Sequence, residues 1–149
     1  MKFQVTFKTK WSDFDPNRHM RHTAYNDYAA EVRVRFFQEH GLSINEFAKL
    51  NIGPILFKEE TSFLKEIHIG ENITVHMELE GVSKEIERWR FNHQIFNQEG
   101  KLAAEIKVYG AWIDLYKRKL TAPPEKFVKI FEDLPKTTNF KEIPLKSDK

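Results

Sequence analysis

The residues best suited to chemistry are concentrated between Trp11 and His40, in WSDFDPNRHMRHTAYNDYAAEVRVRFFQEH. Asp13 and Asp15 share one side of a strand end, Pro16 follows at once, and His19 and His22 precede a helical pattern. A carboxylate beside a helix N-terminus can act as a general base or nucleophile, because the backbone N–H groups there stabilise charge growing on a carbonyl oxygen. The same acids can equally be turn formers, since Asp-Pro readily starts a turn. On spacing alone the two are interchangeable. His19 and His22 could ligate a metal, but no third ligand follows at a recognisable spacing, and the sequence is read as having no metal site.

Further candidates lie outside this loop. Glu31 leans toward the apolar side of the helical pattern and could be a second functional acid, or could pair with Arg35 at i+4. Arg88 and Arg90 share one strand face, with Lys84 nearby, and could meet ligand phosphates or simply face water. His93 falls on the apolar face of the same strand, where a hydrogen-bonded interior or interface histidine is expected. HExxH, GxSxG, P-loop and GxGxxG patterns are all missing, which removes the common hydrolase and nucleotide-binding motifs.

The elements that must position these residues follow from periodicity. Phe3, Val5 and Phe7 alternate with polar neighbours as a first strand, which Pro16 prevents from continuing through the acidic loop. From about Thr23, a plausible N-cap, Tyr25, Tyr28, Ala29, Val32 and Phe36 form a helical stripe that ends near Gly41. Ser43 and Glu46 make a capping box for a short second helix, which Gly53-Pro54 breaks. A strand is expected from Ile55 to about Leu64. Three longer ones follow, around residues 73–80, 87–97 and 101–115, with hairpin chemistry at Asn97-Gln98-Glu99-Gly100. They predict an antiparallel meander with the early helix covering one face. Pro123-Pro124 stops the sheet and opens a last short helix.

At 149 residues the chain is one ordinary domain, and its net charge of +2 gives no electrostatic case for nucleic acid. The thirteen phenylalanines predict an aromatic core or an apolar ligand surface. With no cysteine there is no disulfide and no thiolate chemistry. No run reaches signal-peptide or membrane-span length, so a cytoplasmic protein is the default. Residues 1–135 are expected to form the domain, and residues 136–149 a polar, flexible tail.

Ser12-Asp13-Phe14-Asp15-Pro16, then His19-Met20-Arg21-His22, then Tyr25, Tyr28, Glu31 and Arg33, resembles the D-x-D-x-x-G-H-V-N-N-x-x-Y opening of hotdog-fold acyl-CoA thioesterases. The hydroxybenzoyl-CoA thioesterase-like branch is the nearest in pattern. Phe63-Leu64-Lys65, followed by Ile69-Gly70-Glu71-Asn72-Ile73-Thr74-Val75, is similar to that family's Y-x-x-P and G-D-x-V-x-V. The resemblance covers about residues 3–127. It implies an α+β fold, a five- to six-stranded antiparallel sheet wrapped around one long helix, assembled as a homodimer or homotetramer with active sites at protomer interfaces.

The resemblance also selects Asp15 as the reactive carboxylate. The backbone N–H near His22 or Thr23 would stabilise the oxyanion, and His19, Tyr25, Glu31, Arg88 and Arg90 would be substrate-binding candidates. The implied substrate is an acyl-CoA, with no bound cofactor. Arg18 stands where the family has glycine, and Arg21 and His22 where it has two asparagines. These departures keep open a non-catalytic acyl-binding or scaffold protein and, more distantly, a hydratase using His19 or His22 with Glu31.

Overall fold

The alternation at the start of the chain forms β1 (Phe3–Lys8) in the computed structural model, which describes residues 2–145. A single 3-10 turn at Trp11–Asp13 and a tight loop lead into α1 (His22–Glu39). There follow α2 (Ile44–Leu50), β2 (Ile52–Phe63), β3 (Asn72–Val82), β4 (Arg88–Phe96), β5 (Leu102–Asp114), α3 (Lys126–Glu132) and β6 (Lys136–Glu142). The sheet order is β1-β3-β4-β5-β2, with each of these neighbours antiparallel, so the three long strands form the expected meander. The sheet wraps α1, which is the hotdog arrangement.

The helix is held by desolvation of one face. Ala24, Tyr25, Tyr28, Ala29, Val32, Phe36 and Phe37 are buried on α1 and join one core with Ile73, Val75, Met77 and Leu79 of β3. Toward the C-terminal end of α1 the core turns aromatic: Phe37 lies 5.9 Å from Trp112 and 6.2 Å from Phe131, and Trp112 meets Phe127 edge-on at 4.9 Å. Edge-to-face packing of this kind adds roughly 0.5–1.5 kcal/mol per pair beyond area burial. The short α3 thus closes that end of the core.

Three local expectations are corrected. Thr23 is not the N-cap: α1 begins at His22 with Arg21 in the cap position, because the Arg21 C=O already accepts from the Ala24 N–H at 3.0 Å. Gly53-Pro54 does not separate helix from strand. The break comes at Asn51 (φ 59), and Pro54 lies inside β2, a sheet-edge position where a missing N–H is tolerated. The polar stretch from residue 136 does not start as a flexible tail. β6 pairs parallel with β3 at Leu79, Gly81 and Val82, beyond the last β1 partner at Met77, and so satisfies backbone groups that β1 leaves open. Residues 146–149 of the expected tail lie outside the described residues.

One close approach shapes the inner face of the sheet. The Trp89 ring lies over Gly110, where an added Cβ would stand 2.4 Å from a Trp89 ring carbon and 2.3 Å from the Ile55 carbonyl oxygen. Neither Trp89, 3% exposed, nor the paired strand backbone can give way. Gly110→Ala is expected to destabilise the fold by about 3 kcal/mol or more, read from denaturant unfolding, at the upper end of overpacking costs.

His93 is fully buried, as its place on the apolar face of β4 suggested, and both ring nitrogens are used. Nδ1 lies 3.1 Å from the His76 carbonyl oxygen, to which it donates, and Nε2 accepts from Arg33 Nη1 of α1 at 3.0 Å. Burial first, then the Arg33 charge, lowers its pKa to about 3. The unfolded imidazole takes a proton near 6.5 while the folded one refuses it, so stability falls as the pH drops below 6.5. Between pH 6.5 and 5 this residue should cost the protein about 2 kcal/mol, seen as a steeper loss in urea titrations than for His93→Gln.

Candidate active site

The acidic loop is a compact hairpin at the entrance to α1. Phe14 pairs with Met20 across it, the Asp15 N–H donates to the His19 C=O at 3.0 Å, and the Arg18 N–H donates to the Asp15 C=O at 2.9 Å. Oδ1 of Asp15 accepts from the backbone N–H of Asn17 at 2.9 Å and of His19 at 3.3 Å, closing an Asx-type turn. The carboxylate is half-buried, and both of these bonds fall on one oxygen. Arg18 takes φ 68, the left-handed conformation that favours glycine, so the loop keeps the shape a glycine would give it.

The two acids are not equivalent. Asp13 is 3% exposed; its Oδ2 accepts from the Tyr28 hydroxyl and from the Lys10 N–H at 2.9 Å, and its C=O accepts from the Arg21 N–H at 2.8 Å. Burial, then the hydrogen bond to Asp13, raises the Tyr28 pKa well above 10.0, so the hydroxyl remains a donor. Asp13 therefore welds the exit of β1 to the first turns of α1 and positions the loop. The sequence spacing could not separate Asp13 from Asp15; burial does.

At the mouth of α1, no side chain caps the helix. His22 and Thr23 are exposed, and their backbone N–H groups belong to the first turn, where helical geometry leaves them without an internal acceptor. Arg21 donates from Nε to the Ser12 C=O at 2.8 Å and from Nη1 to Thr23 Oγ1, which holds both side chains along the loop. Arg21 thus ties the loop to the helix from the position of one family asparagine.

The remaining candidates scatter. Tyr25 is buried, edge-on to Phe63 of β2 at 5.0 Å, and burial followed by the Glu66 charge raises its pKa. Glu31 pairs with Arg35 at 3.1 Å and lines a shallow cavity with Tyr28 and Asp13 rather than with Asp15. Arg88 donates to the Tyr109 hydroxyl at 2.8 Å, and Arg90 lies over the Tyr109 ring at 4.2 Å. Both sit on the sheet face away from α1. The loop end of β4 is Phe96, paired to Thr74, so Arg90 is roughly 20 Å along the strand from it. Within one chain these arginines do not meet Asp15. His19 instead joins Glu66 and His68, which the sequence reading did not connect to it: Glu66 Oε1 lies 3.1 Å from His19 Nε2 and 3.5 Å from His68 Nε2.

Comparison with known proteins places this geometry in a class. The family model of the thioesterase-like superfamily matches residues 9–131. The chain belongs to that superfamily, whose class of chemistry is thioester hydrolysis. Among solved structures it is similar to a hypothetical protein from Staphylococcus aureus in complex with CoA, at 26% identity and TM-score 0.83, covering 93% of this chain and 89% of that one. It shares its fold with a 1,4-dihydroxy-2-naphthoyl-CoA thioesterase from Synechocystis at 17% identity and TM-score 0.79, covering 90% and 98% of the two chains. The DHNA-CoA thioesterase of Staphylococcus aureus is similar at 17% identity and TM-score 0.80, covering 88% and 89%. Comparison with curated proteins finds no match. No helix among the described residues is long and apolar enough to cross a membrane.

The weld beneath the loop can be tested without touching Asp15. Tyr28→Phe removes one of two donors to a buried carboxylate and is expected to cost roughly 1–3 kcal/mol in thermal or denaturant unfolding.

Proposed function

We propose that this chain is a cytoplasmic, homo-oligomeric acyl-CoA thioesterase that hydrolyses an acyl-CoA to the free acid and CoA, with Asp15 as general base or nucleophile. The observation that carries the reading is the half-buried Asp15 carboxylate, held in a tight turn directly before the uncapped N-terminus of α1. In that setting the carboxylate either attacks the thioester carbonyl or takes a proton from an attacking water. The first-turn N–H groups of His22 and Thr23 receive the charge that develops on the carbonyl oxygen. On the first route water then hydrolyses the mixed anhydride formed with Asp15, freeing the acid and the carboxylate; on both routes the CoA thiolate leaves and is protonated, so neither a metal nor a redox cofactor enters the balance.

A second copy of the chain fits the same reading. β2 is a 12-residue strand at the edge of the sheet, with Leu56, Phe57 and Phe63 exposed on either side of the polar run Lys58 to Ser62, and its open backbone edge is available to a partner strand. In a dimer or tetramer, Arg88 and Arg90 of one protomer can serve the CoA phosphates of a site they cannot reach within their own chain.

Asp15→Asn should lower turnover by at least about a hundredfold while the circular-dichroism spectrum and melting temperature stay near the parent values. The assay is thiol release from a panel of short, long and aromatic acyl-CoAs. Equal rates for the two proteins would defeat the assignment of Asp15. Saturable binding across the panel with no hydrolysis by the parent would favour a non-catalytic acyl-binding protein.

A further inference from the structure

The loop that carries Asp15 is bridged to the segment before β3 by two backbone bonds, Met20 N–H to Ile67 C=O at 2.9 Å and Ile69 N–H to Arg18 C=O at 3.2 Å. These bonds flank the antiparallel bridge pair His19 and His68, which is therefore a non-hydrogen-bonded pair with its side chains on one side and close together. Glu66 is two residues before His68 and so falls on that same side. The backbone alone thus assembles two imidazoles and a carboxylate from distant parts of the chain.

We propose that His19, Glu66 and His68 form a site for a divalent transition cation, with zinc the best fit. Their ligand atoms all lie within 4.8 Å of one another. The two N–O separations, 3.1 and 3.5 Å, match the ligand–ligand edge of about 3.3 Å expected for a tetrahedron with metal–ligand bonds of about 2.0–2.1 Å.

An independent observation supports a cation there. His68 Nδ1 lies 3.2 Å from Glu71 Oε2, the second carboxylate that commonly orients a metal-bound imidazole. With the proton on Nδ1, the Nε2 lone pair faces the Glu66 carboxylate, a position that a metal ion fills and that a second proton on the ring would otherwise occupy. Two nitrogen ligands and one oxygen favour zinc and its neighbours over magnesium or calcium. Glu66 is 61% exposed and His68 63%, which leaves an entry path and a fourth position for water. A cation bound here cross-links the Asp15 loop to the β3 entrance, because the backbone of His19 is itself bonded to Asp15. The site does not depend on which residue carries the reaction.

The test is zinc titration of the chelator-stripped full-length chain against a metallochromic indicator, paired with thermal melts. The parent should bind one zinc per chain, and a hundredfold excess over Kd should raise the melting temperature by about 5 °C or more. His19→Ala and His68→Ala should each weaken binding at least about tenfold and cut the thermal shift at the same zinc concentration to about half or less, while His22→Ala keeps both. His68 is exposed, so His68→Gln provides a folded comparison, and circular dichroism of each variant confirms it. No saturable zinc binding by the parent, or binding unchanged in both His19→Ala and His68→Ala, would overturn the assignment. Thiol release by the same proteins is measured separately, so loss of the metal site and loss of the Asp15 reading are distinguishable.

Discussion

The interaction on which the site depends is the burial of the Asp13 carboxylate beneath α1. A carboxylate this buried needs donors, and here both, the Tyr28 hydroxyl and the Lys10 backbone N–H, meet Oδ2, with no side-chain cation bonded to it among the described residues. Because one donor belongs to α1 and the other to the exit from β1, satisfying the acid fixes the approach of chain to helix. The Asp13 C=O extends the weld by accepting from the Arg21 N–H, which sets the residue that begins the helix. A loop anchored on both sides can hold a second acid partly in solvent without losing its shape. Two aspartates two residues apart thus divide the work, one buried and structural, the other half-exposed and available.

The departures from the family pattern read differently once the loop is seen. Arg18 adopts the left-handed conformation that its glycine counterpart would adopt, at an expected strain of about 1–2 kcal/mol, and the hairpin closes around it. Arg21 replaces an amide side chain with a longer donor that reaches Ser12 and Thr23. The loop is therefore held by other bonds rather than left loose. Away from the loop, Arg33 lies against His93, with burial lowering the guanidinium pKa and Glu59 partly opposing it.

The molecule is asymmetric in what it leaves open. The outer edge of β3 is divided between β1 and β6, whereas β2 at the opposite edge has β5 on one side only. The arginines of β4 gather around Tyr109 and Phe57 near that second edge, on the face away from α1. The Asp15 loop and the basic patch are consequently far apart in one chain, and the proposed assembly through β2 would give both a common role.

The sequence by itself determined the elements whose side chains report their own burial. Period-two alternation marked β1, β3, β4 and β5, the apolar stripe marked α1, and Ser43 with Glu46 marked α2, where Ser43 Oγ accepts from the Glu46 N–H at 3.1 Å. The D-x-D resemblance named Asp15. Tertiary structure decided everything that rests on backbone pairing or on contacts between distant residues. β6 has little apolar alternation because its place comes from open backbone groups on β3, which no side-chain pattern records. The roles of Asp13 and Asp15 separated only when Tyr28 came down on one of them. His19 found Glu66 and His68 only through a bridge between two loops, since a constellation built by chain crossing has no signature in local spacing.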